Sequence, residues 1–365
     1  MAPKKLIPFK IDHIDSLGQG VSKDDEGVVF IPKTLVGETG IAEVTSSRKG
    51  VSFARVHELK AKSSARIEPA CPHYTECPSC HLLHTDYATE LSIKEESLKT
   101  LFKKRHLPTP LVIPAAHRLD YRNRIQLHYD KKLKKIGFID REKDQIVPVP
   151  FCQVGSLKVQ EKLRSLYQNN FWLREAPQRV DQGHVEIYEK NGEAHLHWNQ
   201  RYAHGGFSQV FDQMNQKLIQ LLKEKLGENQ DLKILDLFGG NGNLSKKLHY
   251  SKRLCVDQYP FKEKDEFFHQ DLYDAKSIEK VAHHLAKKEW SPNFLIVDPP
   301  RSGMKDLRTW IEAFPVKEFV YVSCDPHSLV RDLETLPEFE IEASFLLDFF
   351  PSTYHFETVV FLRGK

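Results

Sequence analysis

Cys324 closes an apolar run, Phe319-Val320-Tyr321-Val322-Ser323-Cys324, and Asp325-Pro326 follows it at once. Glu357 opens the chain's last apolar run, Glu357-Thr358-Val359-Val360-Phe361-Leu362. A thiol and a carboxylate at the ends of buried strands suit covalent catalysis on an electron-poor ring. Carbon 5 of uracil is a poor nucleophile until a thiolate adds to carbon 6 and turns the ring into an enolate. A base must later take the proton from carbon 5 so that the sulfur can leave. An inert core cysteine is the plainer reading of any Cys on an apolar run, and Cys255 in Leu254-Cys255-Val256 is read that way. Cys324 differs because Asp-Pro breaks the strand and exposes its end. Glu357 could be an ordinary surface glutamate, but its apolar neighbours argue against that.

Upstream lies a glycine loop, Asp236-Leu237-Phe238-Gly239-Gly240-Asn241-Gly242-Asn243, entered by the apolar run Ile234 to Phe238. Leu244 to Leu248 is expected to leave it as a helix. Asp236, Phe238, Gly239, Gly240 and Gly242 are the expected cofactor contacts, since glycines let a ligand approach the backbone closely. Asp257, after Leu254-Cys255-Val256, could accept ribose hydroxyls, and Asp271 could sit beside an adenine amino group. The spacing is not GxGxxG. It is similar to the S-adenosylmethionine loop of class I methyltransferases, with the tetrad Asp298-Pro299-Pro300-Arg301 further on.

Cys71-x5-Cys77-x2-Cys80, with Cys152 at a distance, offers four thiolates that would suit zinc or an iron–sulfur cluster. His73, His81 and His84 lie nearby and are expected to be solvated. Arg122, Arg124, Lys131, Lys132, Lys134, Lys135 and Arg141 form a basic stretch with few acids, and Lys131 to Lys135 reads as a hairpin tip able to track phosphates.

The elements that must position these groups fall into three regions: 1–62, 63–204 and 205–365. The first has short strands (Val28 to Ile31, Ile41 to Val44, Phe53 to Val56) between glycine turns, the pattern of a small β-barrel. The second follows the cysteines with a helix over Tyr87 to Lys104, ended by Pro108 and Pro110, and alternating strands at Ile125 to Tyr129 and Val185 to Tyr188. It reads as a mostly-β central domain. The third alternates apolar runs (Lys233 to Phe238, Arg253 to Asp257, Asn293 to Val297, Phe319 to Ser323) with charged helical segments, the βα pattern of a doubly wound α/β sheet. The chain has 365 residues, 40% hydrophobic and 28% charged, and a net charge of +3, which alone does not mark a nucleic-acid binder. No apolar run reaches the roughly 20 residues of a membrane span. Met1-Ala2-Pro3-Lys4-Lys5 lacks the apolar core of a secretion signal, so a cytoplasmic monomer is expected.

Together these motifs resemble the RNA 5-methyluridine methyltransferase family over nearly the whole chain. The nucleophile motif is similar to Val322-Ser323-Cys324-Asp325-Pro326, although Asn is commoner than Asp at the position of Asp325, and the base motif is similar to Phe350-Pro351-Ser352-Thr353-Tyr354-His355-Phe356-Glu357-Thr358. The resemblance implies that Cys324 is the nucleophile, Glu357 the proton acceptor and Asp298 the group that reads the uracil edge. Phe207-Ser208-Gln209-Val210 resembles a segment that places Gln209 on the methyl donor. Phe211 replaces an Asn there, and Gly239 stands where the family often has Cys. By the same resemblance, the N-terminal barrel is a TRAM domain and the four cysteines hold a [4Fe–4S] cluster, as in ribosomal-RNA members. Arg122 and Arg124, in Tyr121-Arg122-Asn123-Arg124, would join Lys132 and Lys135 on the RNA, with 23S ribosomal RNA favoured over transfer RNA. An RNA cytosine-5 enzyme would typically carry a Cys where Pro300 stands. An N-methyltransferase would need neither the thiol nor the glutamate. A non-catalytic iron–sulfur RNA-binding or assembly protein is the alternative of another class.

Overall fold

The structure is a computed structural model that describes residues 5–24, 27–140, 143–201, 209–258 and 266–365. The chain divides into two compact units. One comprises residues 1–97, 116–202 and 350–355, and the other 98–115, 203–349 and 356–365.

The first unit opens with six strands: β1 (Leu6–Lys10), β2 (His13–Ile14), β3 (Gln19–Asp24), β4 (Gly27–Pro32), β5 (Thr39–Arg48) and β6 (Val51–Ala61). They form one sheet in the order β1-β5-β6-β4-β3-β2. Three register shifts bend the β5–β6 pair. The amide of Lys10 donates to Ser22 Oγ (3.2 Å) and that of Asp12 to the Val21 carbonyl (2.9 Å), so the end of β1 meets β3 and the sheet curls back on itself. Alternating Ile7, Phe9, Ile11, Val29, Ile31, Ala42 and Ala54 fill the interior.

After the cysteine loop come α1 (Tyr87–Lys104) and the short strand β7 (Leu111–Ile113). The helix has the span its sequence predicts, and the division between units falls within it, after Ser97. Its buried row at four-residue spacing is Glu90, Lys94, Leu98 and Phe102, so a carboxylate and an ammonium share the inward stripe with the apolar side chains. The central sheet follows: β8 (Arg124–Asp130), β9 (Lys135–Asp140), β10 (Gln145–Val147), then α2 (Leu157–Tyr167) and α3 (Trp172–Glu175), then β11 (Gln182–Lys190) and β12 (Glu193–Trp198), in the order β10-β9-β8-β11-β12. Ile125, Leu127, Val185 and Ile187 are buried on this sheet, and α2 lies against β11 and β12.

The second unit holds α4 (Asp212–Leu226), β13 (Lys233–Leu237), β14 (Lys252–Asp257), β15 (Phe267–His269), α5 (Ser277–Lys287), β16 (Phe294–Val297), α6 (Leu307–Ala313), β17 (Glu318–Ser323), α7 (Pro326–Leu333), β18 (Phe339–Leu347) and β19 (Glu357–Gly364). The eight-stranded sheet runs β15-β14-β13-β16-β17-β19-β18-β7. Its first five strands are parallel, and β19 lies antiparallel between β17 and β18. The inner strands read as continuous apolar runs because they are buried throughout. Strand order reverses between β13 and β16, and ligands of such sheets bind beyond the C-terminal ends at that point. Because β19 is antiparallel, its N-terminal end reaches the same edge as the C-terminal end of β17.

One expectation is corrected. Leu244 to Leu248 is a run of turns rather than a helix. The Lys246 amide bonds to the Gly242 carbonyl (2.9 Å) and the Leu248 amide to Ser245 (3.1 Å), while the Ser245 hydroxyl turns inward onto Asp236.

Candidate active site and cysteine cluster

The last paired rung between β17 and β19 is Ser323 opposite Thr358. Cys324 and Glu357 are the next residues outward on each strand, so the register brings thiol and carboxyl to one place. Thr358 is fully buried and Glu357 nearly so, whereas Cys324 is partly open. Asp325 caps α7 by accepting the Ser328 amide (2.8 Å), and Pro326 fills the first helical turn. The Ser323 hydroxyl closes the turn with both backbone groups of Asp325, 2.9 and 3.1 Å away. Burial pushes the Cys324 thiol up to about 12, and the neighbouring Glu357 charge adds to this while Arg301 opposes it. Burial also holds the Glu357 carboxyl well above the usual carboxylate range, with Asp298 raising it and Arg301 lowering it.

Arg301 is therefore a residue whose role the sequence left blank. It is exposed at the end of the Asp298-Pro299-Pro300 turn, and its charge reaches both Cys324 and Glu357. The available signal was a cation held by two prolines at fixed distance from Asp298.

Of the residues expected to meet the methyl donor, Asp236 to Gly242, Asp257 and Asp298 lie at the ends of β13, β14 and β16. Phe238 takes a left-handed backbone (φ 60°), uncommon for a residue with a side chain, and its amide donates to the Val256 carbonyl (2.9 Å). Such outliers persist where surrounding structure fixes them, often at ligand sites. At 239, a Cβ would stand 2.6 Å from the Asp236 carboxyl carbon. A side chain at 239 would therefore crowd the Asp236 carboxyl. The Gly240 amide donates to Asp257 Oδ2 (3.0 Å), tying the loop to β14. At Gly242, with φ 73°, a Cβ would meet the Arg253 guanidinium at 2.5 Å.

Asp236 is fully buried and accepts the Ser245 hydroxyl at 2.5 Å, and burial pushes its carboxyl up to about 6. Asp298 is pushed up to about 7, chiefly by burial and then by the charges of Asp236 and Asp257. The cleft thus holds three acids that repel one another. Gln209 is buried in the chain's second unit, whereas Phe207 and Ser208 lie outside the described residues. Asp271 is exposed and accepts the Tyr273 amide (3.0 Å); Tyr273 packs its ring 5.5 Å from that of Phe238.

In the first unit, Cys77, Cys80 and Cys152 are buried and Cys71 is partly exposed; none forms a disulfide. Lys33 donates to the carbonyls of Tyr74 and Cys77, the latter at 3.1 Å, and so shapes the loop. Burial pushes the Cys152 thiol up to about 11 and Cys80 well above the usual range, and Cys80 also feels Cys152, Cys77 and Cys71. Cys80 is thus the cysteine that feels the other three. Among the described residues, no group of three or more His, Cys, Asp or Glu is arranged to hold a metal ion. Two of the nearby histidines depart from the solvated expectation, whereas His73 is partly exposed. His84 is fully buried with Nδ1 2.6 Å from the Tyr74 hydroxyl, and burial lowers both His81 and His84 to about 4.

The expected hairpin tip joins β8 to β9. Lys132 and Lys135 are exposed there, and Lys132 lies 3.0 Å from Asp181. Lys131 instead donates to the Pro177 carbonyl (2.6 Å). Arg122 Nε donates to the Arg124 carbonyl (3.0 Å), while Arg124 is buried against Glu186 at 2.9 Å. That pairing gives Arg124 a role inside the sheet, which its sequence position did not reveal. Arg141 lies outside the described residues.

A family model described as tRNA (Uracil-5-)-methyltransferase matches residues 262–365. The chain is 26% identical to the 23S rRNA (uracil(1939)-C(5))-methyltransferase RlmD of Shewanella woodyi, covering 97% of this chain and 95% of that one. The enzyme of the same name from Shewanella sediminis matches at 26% with the same coverage. In fold, the chain is similar to the tRNA (uracil-54, C5)-methyltransferase of Pyrococcus abyssi, solved in complex with S-adenosyl-L-homocysteine. The TM-score is 0.67 at 19% identity, covering 97% of this chain and 99% of that one. In sequence over nearly its whole length and in fold, the chain is thus similar to RNA uracil-C5 methyltransferases.

Proposed function

We propose that the protein methylates carbon 5 of a uridine in RNA through a covalent adduct at Cys324 that Glu357 resolves. The carrying observation is the rung just beyond Ser323 and Thr358, which sets a thiol and a buried carboxyl side by side. Cys324 adds to carbon 6 as thiolate, forming a carbon–sulfur bond and an enolate. Bound S-adenosylmethionine would supply the methyl group to carbon 5, its sulfur–methyl bond breaking to leave S-adenosylhomocysteine as a neutral thioether. Glu357 takes the carbon 5 proton, the carbon–sulfur bond breaks, and Cys324 leaves as thiolate. Asp298 reads the polar edge of the ring and Arg301 steadies the negative charge of thiolate and carboxylate. Three acids at the strand ends suit a donor that carries a sulfonium cation, with Gln209, Phe238 and the 239–242 loop around it. The ring must leave its stack to meet both Cys324 and Glu357.

Ribosomal RNA is the favoured substrate because the end-to-end relatives carry that name; transfer RNA is the second reading, favoured by the name of the family model. Residues 1–62 read as a TRAM-like RNA-binding module, 63–204 as the central domain and 205–365 as the methyltransferase domain. Cys71, Cys77, Cys80 and Cys152 would hold a [4Fe–4S] cluster: the donors are all sulfur, three of them are buried, and clusters accept four cysteines. Its role in this reading is structural.

The test uses unmethylated ribosomal RNA transcribed in vitro. Wild-type protein should form 5-methyluridine, Cys324→Ala none, and Glu357→Gln a denaturation-resistant, methylated RNA–protein adduct. Normal turnover by either variant would remove the mechanism.

A further inference from the structure

The turn that follows β16 is gripped by α7. Ser328 Oγ donates to the Arg301 carbonyl (2.8 Å), Arg331 Nη2 donates to that of Ser302 (2.7 Å), and Asp332 Oδ2 accepts the Met304 amide (2.6 Å). Ser328, Arg331 and Asp332 have the spacing of one helix face, so a single face of α7 meets the backbone of 301–304. Gly303 lets that face come close. Its φ is 70°, and a Cβ there would stand 2.5 Å from Arg331 Nη2 and 3.0 Å from Ser328 Cβ.

Asp332 is the anchor, and it is only 1% exposed. The oxygen that holds Met304 also accepts the buried Tyr321 hydroxyl (2.6 Å), and the other pairs with Arg331 (2.6 Å). Tyr321 lies on β17 shortly before Cys324, and α7 begins at Pro326 just beyond it. All these residues belong to the second unit, as do Arg301, Cys324 and Glu357. The first turn of α7 is therefore fastened to the nucleophile's turn through Asp325, and its second to the turn that carries Arg301. A buried charge pair is weak evidence for stability, since apolar side chains would serve at least as well. One that holds a backbone amide and a hydroxyl of the nucleophile's strand fixes a geometry.

We propose that Ser328, Arg331 and Asp332 are positioning residues for Arg301, setting the backbone from which its guanidinium acts on the Cys324 turn. The inference rests on Cys324 being the nucleophile and Arg301 the cation that steadies it. It names residues of α7 that tune adduct formation without touching the substrate.

The experiment follows the covalent adduct on in vitro transcripts of ribosomal and transfer RNA that contain 5-fluorouridine. Fluorine cannot leave carbon 5 as the proton does, so the adduct persists once formed. Full-length protein is used at pH 7 with saturating S-adenosylmethionine. The double variant Ser328→Ala/Arg331→Gln and the single variant Asp332→Asn are each made with and without Arg301→Gln. In Asp332→Asn the new amide must face either the Met304 amide or the Arg331 guanidinium, donor against donor, which opens the grip. Each should form adduct roughly three- to tenfold more slowly than wild type, but less than about twofold more slowly once Arg301→Gln is present. Losses that multiply in full with that of Arg301→Gln mark a merely structural role and overturn the proposal. A wild-type rate in Ser328→Ala/Arg331→Gln overturns it too, and that variant decides the matter if Asp332→Asn does not fold. An unchanged rate in Arg301→Gln removes the role given to Arg301, and no adduct in wild type on either RNA removes the nucleophile reading. The positioning role falls with either.

Discussion

Cys324 and Glu357 stand one position beyond Ser323 and Thr358, the last paired residues of β17 and β19, and β19 runs antiparallel to both of its neighbours. The single antiparallel strand brings a residue from near the chain's end to the edge where β13, β14, β16 and β17 deliver theirs. Their proximity has an electrostatic cost, because each negative charge opposes the other.

The first prediction follows from that opposition. With its thiol raised, Cys324 is protonated at neutral pH, so adduct formation should quicken by about tenfold per pH unit between roughly pH 6 and 9. Asp325→Asn keeps a good helix cap but removes a charge that raises the thiol, so it should form adduct several-fold faster at pH 7. Arg301→Gln should do the reverse. Single-turnover trapping across pH measures both, and shifts of the same sign in the two variants would contradict the charge argument.

The sequence announced this site more clearly than its support. Cys324, Glu357 and the acids after each strand are legible because apolar runs ending in Asp-Pro or glycine mark strand ends. The limits of β13, β14, β16 and β17 came through within a residue for the same reason, whereas β5 and β6 run four and five residues past the apolar runs that announced them. Lys94, Arg124 and Glu186 were opaque: each is charged, and only the fold places them inside, where oppositely charged partners satisfy them. Leu244 to Leu248 has helical composition, yet Ser245 turned onto Asp236 closes it as turns. His84 looked solvated because nothing local shows the Tyr74 hydroxyl that meets it.

A second prediction concerns the acidic cleft. Asp236 and Asp298 are raised from ordinary values to about 6 and about 7. A carboxyl raised in the folded state contributes stability below its unfolded value, and this is lost as pH climbs through the folded one. The unliganded protein should therefore lose thermal stability between about pH 4 and 7 from this source. The sulfonium of S-adenosylmethionine compensates the charges, whereas S-adenosylhomocysteine lacks it. The thermal shift given by the methyl donor should grow from pH 5.5 to pH 8 more than that given by the product. Parallel pH curves for the two ligands would refute the role given to these acids.

A third prediction addresses the thiols. Protein purified without oxygen should carry about four irons per chain with matching sulfide. Cys80→Ser should lose them, since Cys80 is buried and feels all three other cysteines. Its neighbours His81 and Leu82 hold Ser352, so the variant should also show faster amide exchange at those residues. Stoichiometric zinc without iron or sulfide would replace the cluster assignment.

The last prediction tests the hairpin between β8 and β9. Lys132 and Lys135 are exposed at its tip beside Leu133, which is 65% exposed. The Lys132–Asp181 pair lies in solvent, where such pairs are worth about 0–1 kcal/mol, so a phosphate can displace it. Arg124 is held by Glu186 and should contribute to the fold instead. Reversing charge at Lys132 and Lys135 should weaken RNA binding and reduce the log–log salt slope by roughly one unit for each phosphate that is no longer neutralised. Methyl-donor affinity should not change, because these residues and the donor loop belong to different units. Arg124→Gln should lower thermal stability and leave the slope alone. If the double reversal leaves the slope unchanged, the tip does not meet phosphate, and the basic stretch serves only to keep the hairpin in water.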